Sequence, residues 1–485
     1  MNHEEQTGKN FLWGAFSQII TRLLGLAFFV FMSHILLEKG MGQYNFISSF
    51  VVFWFIFADF GAGTYLYREW SKGSTPIEKI EYDFNLMFTV KFFTTIIVII
   101  PFLIVNWFNN RDIFIPLLLF FISVFLSLTV GQADAYLASA NNFKLSALRQ
   151  LIEKTIIFVI GGILLFFFPS VAMVFVAMIV AQLFSLVYYF SGRFPFKLHL
   201  IINWLRIKEL FLKGLPFVFY MIAVSLYSRI DMVMLKYMKG FEAVGWYGTA
   251  YKTGDVASIF SVLFLPAIFP VLSRIINSGN NDDYRNFFNR SIRILFSSSL
   301  VLSVFFITFS PIIIGWFFPI SFAPSILAMR ILSLTLIVAA LGGLFNNLLI
   351  IQNKEKESVK IIIISCLVNI IFNFILIPKY SLYGAAWATV LSGIVYFFLL
   401  QRAVTWEKDL SLLKKMAVLS LFNVIVFVVM KILGLTNNIY LGFGNLLMNI
   451  FLIWFLGLLN KSDIQMFYLP FKNKFQSVFF NQNEI

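Results

Sequence analysis

Charge is what this 485-residue chain has least of: 12% of its residues are Asp, Glu, Lys or Arg, about half the share of a soluble globular protein. A chain this long with so little charge and 60% hydrophobic residues, 62 of them Phe, has more apolar surface than a soluble core can hide, so lipid must be the solvent for much of it. There is a single cysteine, Cys366, set in an apolar stretch. That excludes an intramolecular disulfide framework, and with no histidine partner in view the thiol reads as a small hydrophobe. Only three histidines are present; His34 has no second ligand nearby in sequence, which removes any metal-site reading and leaves it interfacial. No phosphate-binding glycine loop occurs, which argues against direct drive by a nucleotide. No small-residue cleavage site follows the amino-terminal MNHEEQTGKN, so the first apolar run is expected to be a retained span.

What is present is a series of apolar runs near the length of a spanning helix. They fall at roughly 11–36, 43–67, 84–106, 113–138, 149–168, 170–191, 211–235, 244–273, 292–315, 322–351, 359–377, 383–402, 412–433 and 438–459. The expected fold is therefore all-α and polytopic, with about 14 transmembrane helices. The net charge of +14 comes from bases in alternate gaps, which is a topology signal and not a nucleic-acid stripe. With the amino end cytoplasmic, about 25 of the 37 Lys and Arg fall inside and about 6 outside, and both termini are cytoplasmic. The outward connections are all short, so no catalytic or receptor domain is housed there and function must lie within the bundle.

Gly8, Gly42-Gln-Tyr44 and Pro169 have counterparts in Gly214, Gly245-Trp-Tyr247 and Pro378 at offsets of about 203 to 209 residues, the mark of paired halves. The expected organisation is a lobe of spans 1–6 (1–192), a basic, aromatic cytoplasmic amphipathic linker (193–213), a second lobe of spans 7–12 (214–405), and a terminal segment of spans 13–14 with a cytoplasmic tail (406–485).

Ionisable groups at membrane depth cost about 2.5–3.5 kcal/mol on insertion scales, so they face an aqueous cavity or a partner. Arg22 sits about 16 Å along span 1, and Lys91 a turn or two into span 3. Arg229, Lys252 and Arg330 come out at similar depth, roughly 9–12 Å below the outer boundary, as if in one cationic ring. Asp59, Asp231 and Asp255 are the carboxylates of the set, candidates for ion coupling or charge balance. Lys252 and Asp255, three apart, share a helix face, whereas Arg229 and Asp231, two apart, do not. Five cations against three carboxylates suit an anionic headgroup in a wet cavity. The competing reading pairs each charge with a neighbouring helix or lets it snorkel, as Lys91 and Lys39 are placed to do. Asp134, Glu153 and Lys154 lie near the cytoplasmic boundary, where water reaches them, and little is expected of them. Trp70, Trp107, Trp204, Trp316 and Trp406 fit an interfacial belt, and Pro266, Pro270, Pro311, Pro319 and Pro324 are helix-kink candidates.

The stretches Lys213-Gly-Leu-Pro-Phe217, Ser225-Leu-Tyr-Ser-Arg-Ile-Asp231, Val244-Gly-Trp-Tyr247, Ala250-Tyr-Lys252 and Pro270-Val-Leu-Ser-Arg274 resemble the start of the second half of the polysaccharide and O-antigen flippases (Wzx type) of the multidrug/oligosaccharidyl-lipid/polysaccharide exporter superfamily. Asp59-Phe-Gly61 with Arg68-Glu69 resembles the end of that family's second span; Gln352 to Lys356, Val368 to Asn373, Ile377 to Tyr380 and Gly384 to Thr389 resemble its eleventh and twelfth. The resemblance covers most of the first 400 or so residues. It implies an inner-membrane flippase, not an enzyme, with no cofactor and no metal, turning an undecaprenyl-pyrophosphate-linked oligosaccharide from the cytoplasmic to the outer leaflet. Membrane lipids and other polysaccharide-assembly proteins are the implied partners, and nucleic acid is not one. Two alternatives stand beside it. A cation-coupled drug exporter of the same superfamily would prefer a negative cavity. A membrane-embedded polymerase or glycosyltransferase would need acidic catalytic pairs and a sizeable outer loop, which the sequence lacks.

Overall fold

A computed structural model describes residues 3–59, 61–71, 73, 75–140, 142–406, 409–435, 438–460 and 463; the side chains of 3–16, 57–59, 216, 253, 257 and 431 are left aside. Among the described residues the regular structure is all helix, without a strand. Twelve helical segments are long and apolar enough to cross a membrane. The first, Ser17–Ile56, runs for 40 residues and is broken in the middle, at Leu37, into two crossings; a 17-residue apolar helix, Ile439–Phe455, adds another, giving the fourteen expected.

By packing, the chain forms two compact units, Met1–Gly245 and Trp246–Ile485. The first holds α1 (His3–Asp59), α2 (Ala62–Trp70), α3 (Ile77–Asn109), α4 (Phe114–Ser139), α5 (Phe143–Phe167), α6 (Val171–Phe190) and α7 (Trp204–Lys239). Small residues set its closest approaches: a Cβ on Gly161 of α5 would sit 2.6 Å from the Phe28 ring of α1 and 3.4 Å from Ala177 of α6. Close approach of this kind drives helix association in lipid, where apolar burial alone gives no gain. The seventh helix packs on α1 and α2 of this unit.

The turns leading out of α1's first half and out of α7 share a backbone geometry. Leu37 has φ 54 and ψ −169, and Gly240 has φ 90 and ψ −178, residues that lie 203 apart. Five residues beyond each stands a glycine, Gly42 and Gly245, and the two turns interlock through them. A Cβ on Gly42 would overlap the carbonyl of Phe241, and a Cβ on Gly245 the carbonyl of Glu38. The offset seen in the sequence thus recurs as a reciprocal clasp of backbone on backbone.

The second unit holds the remainder of α8 (Phe241–Ala257) with α9 (Ile259–Asn277), α10 (Asn281–Phe317), α11 (Ser325–Ser333), α12 (Thr335–Ile351), α13 (Glu355–Tyr380), α14 (Leu382–Ala403), α15 (Leu410–Ile432) and α16 (Ile439–Phe455). Its core runs from Phe264 and Leu272 through Phe288, Leu295, Leu344 and Phe345 to Leu419, Ile453 and Leu458, so the terminal helix pair is built into it. Gly442 of α16 lies against Thr308 of α10. Beyond α16, Asp463 meets Arg290 at 2.5 Å and Arg293 at 3.8 Å. Between α15 and α16, Asn423 and Asn449 exchange amide hydrogen bonds of 2.7 and 2.9 Å.

Candidate functional site

The candidate cations and carboxylates divide between the units. In the first, Arg22 on α1 is half-buried, and Lys91 on α3 is only 6% exposed. Lys91 therefore does not snorkel, as its depth had allowed; its ammonium is enclosed by protein. The two-residue spacing on α7 puts Arg229 and Asp231 on different faces, Arg229 exposed and Asp231 2% exposed. Arg229 acts electrostatically on the hydroxyl of Tyr44, whose ring stacks on Phe175 at 5.8 Å and meets Phe29 edge-on at 6.3 Å. The side chain of Asp59 lies outside the described residues. In the second unit, Lys252 is half-buried and Asp255 exposed on α8, and Arg330 is half-buried on α11.

The surroundings of Arg330 identify a job for it. Pro311 lies inside α10 and has no N–H, so the carbonyl of Ile307, four residues back, loses its helical donor. The Nε of Arg330 donates to that carbonyl at 3.0 Å and to the Ser310 hydroxyl at 3.1 Å. Part of its hydrogen-bonding capacity is spent on repairing the break.

The groups from which little was expected form a charged cluster in the first unit. Asp134, five residues before the end of α4, and Arg149, six into α5, meet across the turn that joins the helices. Arg149 Nη2 donates to Asp134 Oδ2 at 2.8 Å and its Nε to Oδ1 at 3.3 Å. Its Nη1 donates to Glu153, and Tyr189 of α6 donates its hydroxyl to Asp134. Lys154 closes the set on Glu153 at 3.3 Å. Arg149 and Glu153 are buried, so water does not screen them. The signal in the sequence was one charge on each side of a tight helix turn at matching depth.

The segment 193–213, expected as an amphipathic linker, is part irregular and part helix. Residues 196–203 are in neither helix nor strand, and the helix begins only at Trp204, after the Asn203 side chain accepts from the Arg206 amide at 3.1 Å. Phe194 and Phe196 turn into a core with Phe84, Tyr136 and Tyr189. Asn85 and Thr89 of α3 accept from the amides of His199 and Ile201, both at 2.8 Å, replacing the bonds a helix would have supplied. Beyond it, Arg206 clamps Asp83 at 2.8 Å and Glu209 at 2.6 Å, and Lys213 reaches Glu209 at 2.6 Å. The Lys213 and Arg206 hydrogen bonds hold the Glu209 carboxyl down at about 2, against an ordinary 4.5. Arg206 is raised above its usual range by its bond to Asp83. Leu200, Ile202, Trp204, Leu205 and Leu212 remain exposed along the segment, as an interfacial position requires.

Of the tryptophans, Trp107, Trp204 and Trp316 are exposed as an interfacial belt would have them. Trp70 is instead buried against Tyr136, and Trp406 packs edge-on to Phe288 and Phe345. Cys366 is buried in the second unit. In that unit a polar ladder absent from the sequence reading joins Asn373 to Asn369 at 2.9 Å and Asn369 to Ser392 at 3.0 Å, with the Tyr247 hydroxyl 3.2 Å from Thr389. Among the described residues no group of three or more His, Cys, Asp or Glu side chains is placed to hold a metal ion.

The fold is shared with solved flippase and transporter structures. It aligns with the lipid II flippase MurJ in an inward closed conformation over 95% of this chain and 100% of that one, at a TM-score of 0.72 and 16% identity. It aligns with an outward-facing multidrug resistance MATE family transporter of the MOP superfamily over 82% of this chain and 95% of that one, at a TM-score of 0.56 and 15% identity. The polysaccharide biosynthesis protein family model matches residues 7–276, and the MatE model residues 216–375. The chain belongs to the polysaccharide biosynthesis protein family. Among curated proteins it is 24% identical over 222 residues to the capsular polysaccharide biosynthesis protein CapF of Staphylococcus aureus, covering 44% of this chain and 55% of that one. It is 28% identical over 168 residues to the probable low-salt glycan biosynthesis flippase Agl15 of Haloferax volcanii, covering 34% of this chain and 35% of that one. The aligned parts span about half or less of these relatives' lengths.

Proposed function

We propose that the protein is a flippase that turns an undecaprenyl-pyrophosphate-linked oligosaccharide, the repeat unit of O-antigen or a related surface polysaccharide, from the cytoplasmic to the outer leaflet of the inner membrane by alternating access. The observation that carries the reading is the excess of cations at membrane depth, Arg22, Lys91, Arg229, Lys252 and Arg330 against Asp59, Asp231 and Asp255, in a chain of a polysaccharide-biosynthesis family. A pyrophosphate is the ligand such a surplus suits, since charge-assisted hydrogen bonds to Arg and Lys are about twice as strong as neutral ones. Arg22 and Arg229 bind the headgroup; Lys91, Lys252 and Arg330 complete the positive field. Asp231, buried in the first unit, is the foremost candidate to carry a coupling ion, with Asp59 and Asp255 balancing charge. The bulk of the polyprenyl chain stays in lipid while the sugar crosses. The protein performs no covalent step in this scheme.

The match to the MatE model favours one second reading, export of cationic drugs. The positive surplus weighs against it, because a cationic substrate is repelled where an anionic one is drawn in. Reconstitution decides between them: vesicles holding the protein should move a fluorescent lipid-linked oligosaccharide to the opposite leaflet. Arg229→Ala or Arg22→Ala should abolish that movement and surface glycan with membrane insertion unchanged. Normal glycan display by both variants would overturn the headgroup assignment.

A further inference from the structure

In the second unit, α9, α10 and α12 border a cavity of about 390 Å³ that contains none of the charged residues assigned above. Its walls are Phe260, Leu265, Pro266, Leu302, Leu336 and Ala339, with three serines, Ser258, Ser261 and Ser299. A volume in the range of about 300–1,000 Å³ is that of a small-ligand pocket. Pro266 inside α9 lacks an N–H, so the carbonyl of Val262, four residues back and also on the cavity wall, loses its helical donor.

The wall chemistry selects the occupant. The Ser258 hydroxyl donates to the Asp255 carbonyl at 2.8 Å, and that of Ser299 to the Leu295 carbonyl at 2.6 Å. Those two hydroxyls are already turned onto their own helices, which leaves the lining mostly hydrocarbon and aromatic ring. A sugar or phosphate entering it would leave its water behind for few partners, at a cost of about 1–3 kcal/mol per polar group on protein scales. A hydrocarbon meets no such penalty. At about 30 Å³ for each water-sized group, the space holds on the order of a dozen carbons, two or three five-carbon units.

Position relates this cavity to the headgroup. Ser258, on its rim, lies six residues beyond Lys252, about 9 Å at 1.5 Å per residue. That is the reach from a lipid pyrophosphate to the first units of its chain. We propose that the α9–α10–α12 cavity seats the phosphate-proximal isoprenoid units of the carrier lipid while Lys252 adds its charge to the field around the pyrophosphate. The assignment rests on the flippase reading above. A polyprenyl chain carries regular methyl branches and stiff double bonds, so it fills a short, wide cavity and lies on Phe260 in a way that a slim saturated acyl chain does not.

The test uses the full-length protein in vesicles and a polyprenyl pyrophosphate with a diazirine on the units nearest the phosphate. Photolysis should label peptides containing residues 258–266, 299–302 and 336–339, and excess unlabelled polyprenyl pyrophosphate should reduce that labelling at least fivefold. Ala339→Phe, whose ring grows into the cavity from an exposed position, and Ser261→Leu should each reduce it by a similar factor while thermal stability is retained. Equal labelling by a phosphatidylglycerol bearing the same diazirine would make the cavity a seat for any membrane lipid and overturn the proposal. So would the absence of label from these peptides. Flipping by the wild-type protein is measured in parallel. Failure to flip overturns the flippase reading and this assignment together, whereas flipping with an unlabelled cavity overturns the assignment alone.

Discussion

Arg149, buried, and Arg330, half-buried, show how the fold itself makes use of a guanidinium. Arg149 joins α4, α5 and, through Asp134, Tyr189 of α6. Removing one partner of such a buried set costs about 3–5 kcal/mol because the others are left charged and unpaired. Arg149→Ala should therefore lower the unfolding temperature of the solubilised protein markedly, whereas Lys154→Ala, on a side chain 40% exposed, should change it little. Arg330 is tested by a cycle. Arg330→Ala strips a donor from the Ile307 carbonyl, and Pro311→Ala returns one from the backbone, so the loss of stability from Arg330→Ala should shrink by about 1 kcal/mol in the Pro311→Ala background. Undiminished loss would place Arg330's value elsewhere. Glu209 adds a pH effect. Its carboxyl is lowered from 4.5 to about 2, so its contribution is present above 4.5 and fades as pH falls toward 2. Because the carboxylate is largely exposed, the effect should be a local loosening. Hydrogen exchange at the start of α7 should quicken over that window, and Glu209→Gln should abolish the pH dependence.

At the scale of elements, the clasp of Gly42 and Gly245 is where a single methyl matters most. Each glycine abuts a backbone carbonyl that has no rotamer to give, so Gly42→Ala or Gly245→Ala forces the two turns apart, at about 1–3 kcal/mol or more. Gly25, also on α1, has nothing within 4 Å of a would-be Cβ. Gly25→Ala should be neutral or stabilising, since Ala exceeds Gly in a helix by about 0.8–1.0 kcal/mol. Thermal unfolding of the three variants side by side is the check. The sequence made both glycines visible as repeat landmarks, because the pattern Gly-x-Tyr recurs 203 residues on. It did not show that each fits the other's turn, since that depends on the crossing of α1 with α7. The non-helical course of 196–203 was hidden for a related reason. Phe194, Phe196 and Leu198 alternate, but the Asn85 and Thr89 side chains that accept from the His199 and Ile201 amides lie more than 100 residues away.

At the scale of the whole molecule, topology is the testable quantity. Alternating gaps of basic and neutral residues expect Asn109 and Lys379 on the outer side and Asn280 and Lys354 on the inner side. Single cysteines at these positions, in a Cys366→Ser background, should react with an impermeant maleimide from opposite sides of oriented vesicles. The same side for all four would overturn the orientation and with it the direction of transport proposed above.

The sequence by itself determined that the chain is a bundle of about fourteen membrane helices with charge rationed to a few deep positions, because hydropathy and length are properties of each segment alone. Tertiary structure decided which charges serve the fold. Arg149, Arg206 and Arg330 are engaged with partners 15, 123 and 23 residues away, whereas Arg229 is exposed. A side chain's burial and its partners are set by neighbouring helices, and no periodicity along one helix records them.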